Sequence, residues 1–239
     1  LLRWLPKQSL AVGYPSSVAV YDQNRRLLRL TLAADDKYRL WRPLKDISPT
    51  LIEATLLHEG RHYYHHFAVN PVAMVRALYS TYLSGVRRVG GSTISMQVAR
   101  MRYHIYSRSL SGKVAQMVTA IWLELRYSKD EILEAYLNLV PCGKNIEGVP
   151  AASLIYFGKP ASKLQLYDAL TLAVIPQSPS RRTPGQKAEQ SRPLSQARTA
   201  LWAKWVRVHP EAKREEALVR MPMTMRDPSQ LPFRAPHLV

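Results

Sequence analysis

The amino-acid sequence predicts a mainly α-helical protein with a small β-hairpin near its N-terminus, on three observations. Apolar residues recur at helical spacing in several stretches, helix-start signals precede those stretches, and the strand-like pattern lies at residues 18–32. The 239 residues make one large domain, or one domain with extensions, with enough chain to bury a substantial core. Cys142 is the only cysteine, which rules out an intramolecular disulfide and suits the cytoplasm or a cysteine-poor periplasmic protein equally. No run of 18 apolar residues occurs to cross a bilayer as a helix. The start, Leu1-Leu2-Arg3-Trp4-Leu5-Pro6-Lys7, reads as a juxtamembrane tail rather than a signal peptide.

In chain order, Val18 to Tyr21, the polar Asp22-Gln23-Asn24 and Arg26 to Leu32 predict a hairpin. Ser48-Pro49 is an N-cap followed by proline at the first helical position, and the helix it opens runs through Leu51, Ile52, Thr55 and Leu56 toward Glu59. Asn70-Pro71 opens an amphipathic stretch over Val72–Leu83. Gly90-Gly91-Ser92-Thr93 breaks the chain and caps a helix from Ile94 to Arg102. Lys113 to Tyr127 carries Val114, Met117, Val118, Ile121, Trp122 and Leu125 at helical spacing. Ser128 and Glu131 form a capping-box pattern in front of Ile132, Leu133, Tyr136 and Leu137. Further helices are expected over Val149–Tyr156, Leu166–Ile175, Gln196–Val208 and Glu211–Val219, with a Pro-rich irregular tail from Met221.

A formal charge of +17 and a pI near 10.2 point to an anionic partner: nucleic acid, an anionic membrane surface or a phosphate-bearing substrate. No RNA-recognition or zinc-finger signature is present, so no specific nucleic acid is expected. The distribution of charge says more. From Gly60 to Leu123 there is no Asp or Glu, although 17 acids in 239 residues would place about four or five in such a window. Arg61, Arg76, Arg87, Arg88, Arg100, Arg102, Arg108 and Lys113 remain, so Glu59 is a lone carboxylate at the edge of a cationic tract.

Glu59 also lies in His58-Glu59-Gly60-Arg61-His62, which spells the HExxH zinc-protease pattern. A zinc site needs a third protein ligand, and no acid follows before Glu124. The extended pattern requires Gly at position 65 and His at position 68, where the chain has His65 and Ala68. No metal site is therefore expected. Taken singly, Glu59 reads as a solvated helix-end residue, Gly90-Gly91 as a turn, and Tyr136 and Asn138 as supports of the fold.

Taken together they read differently. Glu59 with Tyr63 and His66 resembles E-D-x-x-F-x-x-H, Gly91 to Gln97 resembles G-S-T-I-x-Q-Q, and Lys129 to Asn138 resembles K-x-E-I-L-E-x-Y-L-N. Tyr156-Phe157-Gly158-Lys159 and Pro176-Gln177-Ser178-Pro179-Ser180 follow in order. From Ser48 to Ser180 the chain resembles the glycosyltransferase family 51 domain of class A penicillin-binding proteins, most closely the 1C branch. The resemblance implies a lysozyme-like helical core over 48–180, a juxtamembrane segment and hairpin over 1–47, and a basic linker, short helices and tail over 181–239. It implies polymerisation of lipid II into glycan strands at the periplasmic face of the bacterial inner membrane, with residues 67–90 touching the membrane and other cell-wall synthases as partners.

In that reading Glu59 is the general base, and Gly91, Ser92, Thr93, Gln97, Arg100, Lys113, Gln116 and His66 bind or surround the substrate in a deep groove. No cofactor is required, and a divalent cation at the diphosphate is an option known in relatives. The missing acids then have a cause. A carboxylate about 4 Å from a diphosphate charge would cost on the order of 4 kcal/mol at an effective dielectric of 20. The chain departs from the family pattern at Gly60, where an Asp is usual, and at Gly112 and Gln116, where Arg and Glu of R-K-x-x-E stand elsewhere in the family. Gly112 and Gln116 fit the 1C branch; Gly60 leaves open a weakened enzyme acting as a lipid II-binding scaffold. No Ser precedes a Lys by three positions, so no penicillin-reactive S-x-x-K motif is present in this chain.

Overall fold

The computed structural model describes residues 3, 5–68, 92–106, 109–182, 192–221 and 225–234. The helix expected over Val72–Leu83, Gly91 and the segment 67–90 apart from Phe67 and Ala68 lie outside them. Four short strands are described: β1 (Ala19–Tyr21), β2 (Leu27–Leu30), β3 (Tyr38–Arg39) and β4 (Ile146–Glu147). The main helices are α1 (Pro49–Glu59), α2 (Ile94–Arg102), α3 (Leu110–Arg126), α4 (Lys129–Leu139), α5 (Val149–Phe157), α6 (Leu166–Val174), α7 (Arg192–Val208) and α8 (Glu216–Arg220). The mainly helical class is therefore observed. Backbone packing divides the chain into two compact units, one of residues 1–12 and 59–136, the other of 13–58 and 137–239.

Among the described residues of the first unit, α2, α3 and α4 each start where a side chain satisfies orphan N–H groups. Thr93 Oγ1 accepts from Met96 N at 3.2 Å, and Ser109 Oγ accepts from Gly112 N at 3.0 Å. At α4 the bonds are reciprocal: Ser128 N donates to Glu131 Oε2 at 2.8 Å, and Glu131 N donates to Ser128 Oγ at 3.2 Å. Helices α2 and α3 pack together over Ile94, Met96, Val98, Ala99, Ala120 and Leu123. The N-terminal segment is tied to the end of α3. Arg3 donates to the Glu124 carbonyl, Tyr127 Oη donates to the Gln8 carbonyl, and Lys7 pairs with Glu131 at 2.6 Å.

The helical spacing left open which way the apolar stripe of α3 faces. The apolar series on α3 is largely exposed: Val114, Val118, Ile121, Trp122 and Leu125 face solvent, Val118 with 61 % of its surface open. The face turned inward carries Gln116, Ala120, Leu123 and Glu124. Two long polar side chains are buried because each finds partners inside, as burial of polar atoms requires.

In the second unit β1 and β2 pair antiparallel, Ala19 opposite Leu30 and Val20 opposite Arg29, with an irregularity between Val20 and Tyr21. Asp22 closes the turn by accepting from Asn24 N and Arg26 N. A two-residue parallel pairing, Tyr38 with Ile146 and Arg39 with Glu147, was not legible in so short a stretch. It is fixed by Arg39, only 2 % exposed, whose guanidinium meets Glu147, Asp35 and the Pro15 carbonyl. Asn138 clamps the backbone of Arg42 twice, at 2.8 Å each, so its role is in the fold. Helix α5 is buried from Val149 to Tyr156, and α6 packs on the apolar face of α7, which carries Leu194, Leu201, Trp202 and Trp205. The helix expected over Glu211–Val219 is a 3-10 turn at Pro210–Glu215 followed by α8.

Candidate active site

Helix α1 ends at Glu59, and the chain leaves it through Gly60 into a turn and a 3-10 segment, Tyr63–His65. His62 therefore lies beyond the helix that carries His58, and the two imidazoles of an HExxH site do not share one helix face. His58 instead bonds with Gln177. Among the described residues no cluster of three His, Cys, Asp or Glu is placed to hold a metal.

The Glu59 carboxylate meets α2. Gln97 Nε2 donates to Glu59 Oε2 at 2.8 Å, which fixes the orientation of that oxygen. At the other end of the same strip, Lys113 on α3 donates to Ser92 Oγ at 2.6 Å and to Gln116 Oε1 at 3.0 Å. Gln116 is buried and passes its amide N–H to the Met96 carbonyl at 2.6 Å, so it is held as well as holding. Burial, and then the nearby positive charge of Arg100, lower the pKa of Lys113. The hydrogen-bond partners of Lys113, Ser92 Oγ and Gln116 Oε1, are neutral oxygens, and among the described residues neither Lys113 nor Arg100 forms a salt bridge. A half-buried lysine thus stands near an exposed arginine, and neither charge is offset by a carboxylate among the described residues.

The remaining expected residues fall as follows. Thr93 is spent on capping α2 and on a 2.6 Å bond to the Ala68 carbonyl. His66 presents its ring edge to Tyr63, and its carbonyl accepts from Lys129 at 2.7 Å; burial, then Lys129, lower its pKa. Gly91 lies outside the described residues. A Cβ on Gly60 would meet only Ile94 Cδ1 and Tyr63 Cβ, both at 3.8 Å, which is ordinary contact. A Cβ on Gly112 would stand 1.7 Å from the Tyr106 carbonyl oxygen, so the Arg of the family pattern does not fit this backbone. A separate small cavity of about 180 Å³, lined by Tyr21, Arg42, Asp46 and Ser162 among others, lies in the second unit and includes none of these residues.

Sequence reasoning missed the polar cluster behind the site. Ser95 on α2, Glu124 on α3 and Lys129 on α4 meet in the interior. The available signal was that Glu124 is the first acid after the acid-free tract, on a helix face otherwise read from its apolar residues.

The transglycosylase family profile matches residues 24–203. Penicillin-binding protein 1C of Escherichia coli (strain K12) is 36% identical over 214 residues, 88% of this chain and 28% of that protein. Penicillin-binding protein 1A of Aquifex aeolicus is 34% identical over 74% of this chain and 24% of its own length. Penicillin-binding protein 2D of Bacillus subtilis is 36% identical over 73% of this chain and 25% of its own length. The chain thus spans about a quarter of the length of the curated relatives it matches. A crystal structure of penicillin-binding protein 1A from Haemophilus influenzae aligns over 90% of this chain and 22% of that one, with a TM-score of 0.48 and 18% identity.

Proposed function

The chain belongs to the transglycosylase family, and from that premise we propose that it polymerises lipid II into β-1,4 glycan strands with release of undecaprenyl diphosphate. The observation that carries the proposal is the pairing of an oriented carboxylate with an uncompensated cation pair across one helix. Gln97 holds Glu59 at one place on α2, and Ser92, just before α2, holds Lys113.

Glu59 accepts the proton of the attacking sugar 4-hydroxyl. As the new bond to the anomeric carbon forms, the bond to the diphosphate oxygen breaks and its electron pair leaves with the diphosphate. General-base assistance of this kind contributes about 10²–10⁴-fold. The leaving charge is met by Lys113 and Arg100. The Ser92 oxygen accepts from Lys113, so its own O–H remains to donate to a phosphate oxygen. Gln116, where relatives of the family pattern carry an acid, orients Lys113 without neutralising it. A divalent cation would add charge at the diphosphate, and no step assigned to these side chains depends on it.

The substrate's lipid places the reaction at a membrane surface, the periplasmic face of the bacterial inner membrane. The exposed apolar face of α3 suits that place. It begins at Val114, the residue after the diphosphate-binding Lys113, and runs through Trp122 to Leu125, with Arg126 at its end and exposed Tyr103 beside Trp122. Apolar and aromatic side chains bordered by cations sit favourably in an anionic lipid interface. Among the described residues no helix is long and apolar enough to cross a membrane. Other cell-wall synthases are the partners such an enzyme would serve.

The test is to incubate the chain with labelled lipid II in detergent or vesicles and analyse the products. Glycan strands are expected. Tight lipid II binding with no polymer would instead favour a substrate-holding scaffold.

A further inference from the structure

We infer that Glu124, acting through Lys129 and Ser95, is a positioning residue for Glu59. The inference rests on the glycosyl-transfer reading for its consequence, but the coupling it describes is a property of the fold.

Glu124 is 1 % exposed. Its Oε1 accepts from Ser95 Oγ and from Lys129 Nζ, the latter at 2.7 Å, while its Oε2 is buried with no hydrogen-bond partner among the described residues. Lys129 continues the connection. Its ammonium also donates to the His66 carbonyl at 2.7 Å and lies 4.5 Å from the centre of the Tyr63 ring. Tyr63 in turn donates its hydroxyl to the Lys129 carbonyl at 2.8 Å.

These contacts reach Glu59 from two sides. Residues 60–66 are the segment into which Glu59 leads, and Lys129 anchors its far end at Tyr63 and His66. Ser95 lies two residues before Gln97 on α2, and Gln97 is the side chain that holds the Glu59 carboxylate. One buried ion pair therefore fixes both the chain that follows the carboxylate and the helix that orients it. A charged pair with one member this deep is costly to bury, and an apolar pair of similar volume is often as stable or more so. Directionality is what it adds: two donors from different elements converge on one oxygen. Glu124 does not stand in for the acid missing at position 116. It lies eight residues further along α3, about 12 Å at 1.5 Å per residue, and its carboxylate faces Lys129 rather than Lys113.

The experiment compares wild type with Ser95→Ala, Glu124→Gln and Lys129→Met, with Tyr64→Phe as the control. Tyr64 packs its ring against Tyr63, a contact that Phe keeps, while the hydroxyl that is removed bonds to Asp130 and not to Glu124, Lys129 or Ser95. The first readout is the ¹³C titration of the Glu59 carboxyl, assigned by its disappearance in Glu59→Gln. A shift of the midpoint of about 0.5 unit or more is expected in the three network variants and not in Tyr64→Phe. Ser95→Ala keeps the ion pair, so it reports even where removing a charge unfolds the protein. The second readout is polymerisation: kcat is expected to fall about 10-fold or more in Ser95→Ala, with KM for lipid II within about twofold. A Glu59 titration identical in wild type and Ser95→Ala overturns the inference, whether or not the wild type makes glycan. Absence of glycan from a wild type whose Glu59 titration does respond counts against the proposed function instead.

Discussion

His58 and Glu59 are adjacent residues with opposite tasks. Burial, with Lys204 and Arg182 adding to it, pushes the His58 imidazole down to about 4, so it is folded into the protein neutral. The unfolded chain takes up that proton near 6.5, the folded chain only near 4. Stability is therefore whole above about pH 6.5, declines as the pH falls toward 4, and the loss is complete below that. His58→Gln is expected to flatten the fall in stability across this window by on the order of 1–2 kcal/mol, measured by denaturant unfolding at pH 7 and pH 4.5. An unchanged slope would mean His58 is solvated. Gly60 is the neighbouring departure from the family pattern. Its surroundings accept a Cβ without strain, so Gly60→Asp should move stability by no more than about 0.5 kcal/mol in chemical unfolding. Its polymerisation rate should stay within a few-fold of wild type. A wild type that makes no glycan, with activity gained on Gly60→Asp, would identify a decayed enzyme.

Among the elements, α3 shows where sequence reading succeeds and where it stops. Its helical period was legible from Val114, Val118, Ile121, Trp122 and Leu125, and its start lies three residues before the expected one. The direction of the face was not legible, because periodicity locates an apolar stripe without saying what covers it. Gln116 and Glu124 turn inward, where Met96 and Ser95 on α2 meet them from 20 or more residues away and Lys113 and Lys129 meet them from nearby in the chain. The capping signals at Thr93 and Ser128 were legible because they act within four residues. The parallel contact of β3 with β4 was not, since it joins residues over a hundred positions apart through Arg39 and Glu147. The exposed face of α3 carries its own prediction. Val118→Glu, at a solvent-facing position, should leave the thermal unfolding temperature within about 2 °C. It should weaken cosedimentation with anionic vesicles about fivefold or more. Equal binding by wild type and variant would place the lipid contact elsewhere.

Over the whole molecule, the net charge of +17 announced an anionic partner but could not choose among three kinds. The choice came from order: separate short patterns, each weak alone, in the sequence a family shares. That logic pointed to the carboxylate, the α2 segment and Lys113 as the site. It could not find the interior ion pair, because nothing local marks Glu124 as a partner of Lys129 and Ser95. The central claim is that Glu59 is the base in glycosyl transfer, oriented by Gln97 and facing a diphosphate bound by Lys113 and Arg100. The most direct measurement is the rate of glycan formation from lipid II by wild type and Glu59→Gln, with folding checked by thermal unfolding and substrate binding measured alongside. The amide keeps the volume and the reach of the side chain but cannot accept the proton. The expected result is a loss of about 100-fold or more in kcat, with lipid II still bound and the fold intact. A Glu59→Gln protein that polymerises lipid II at the wild-type rate would contradict the account.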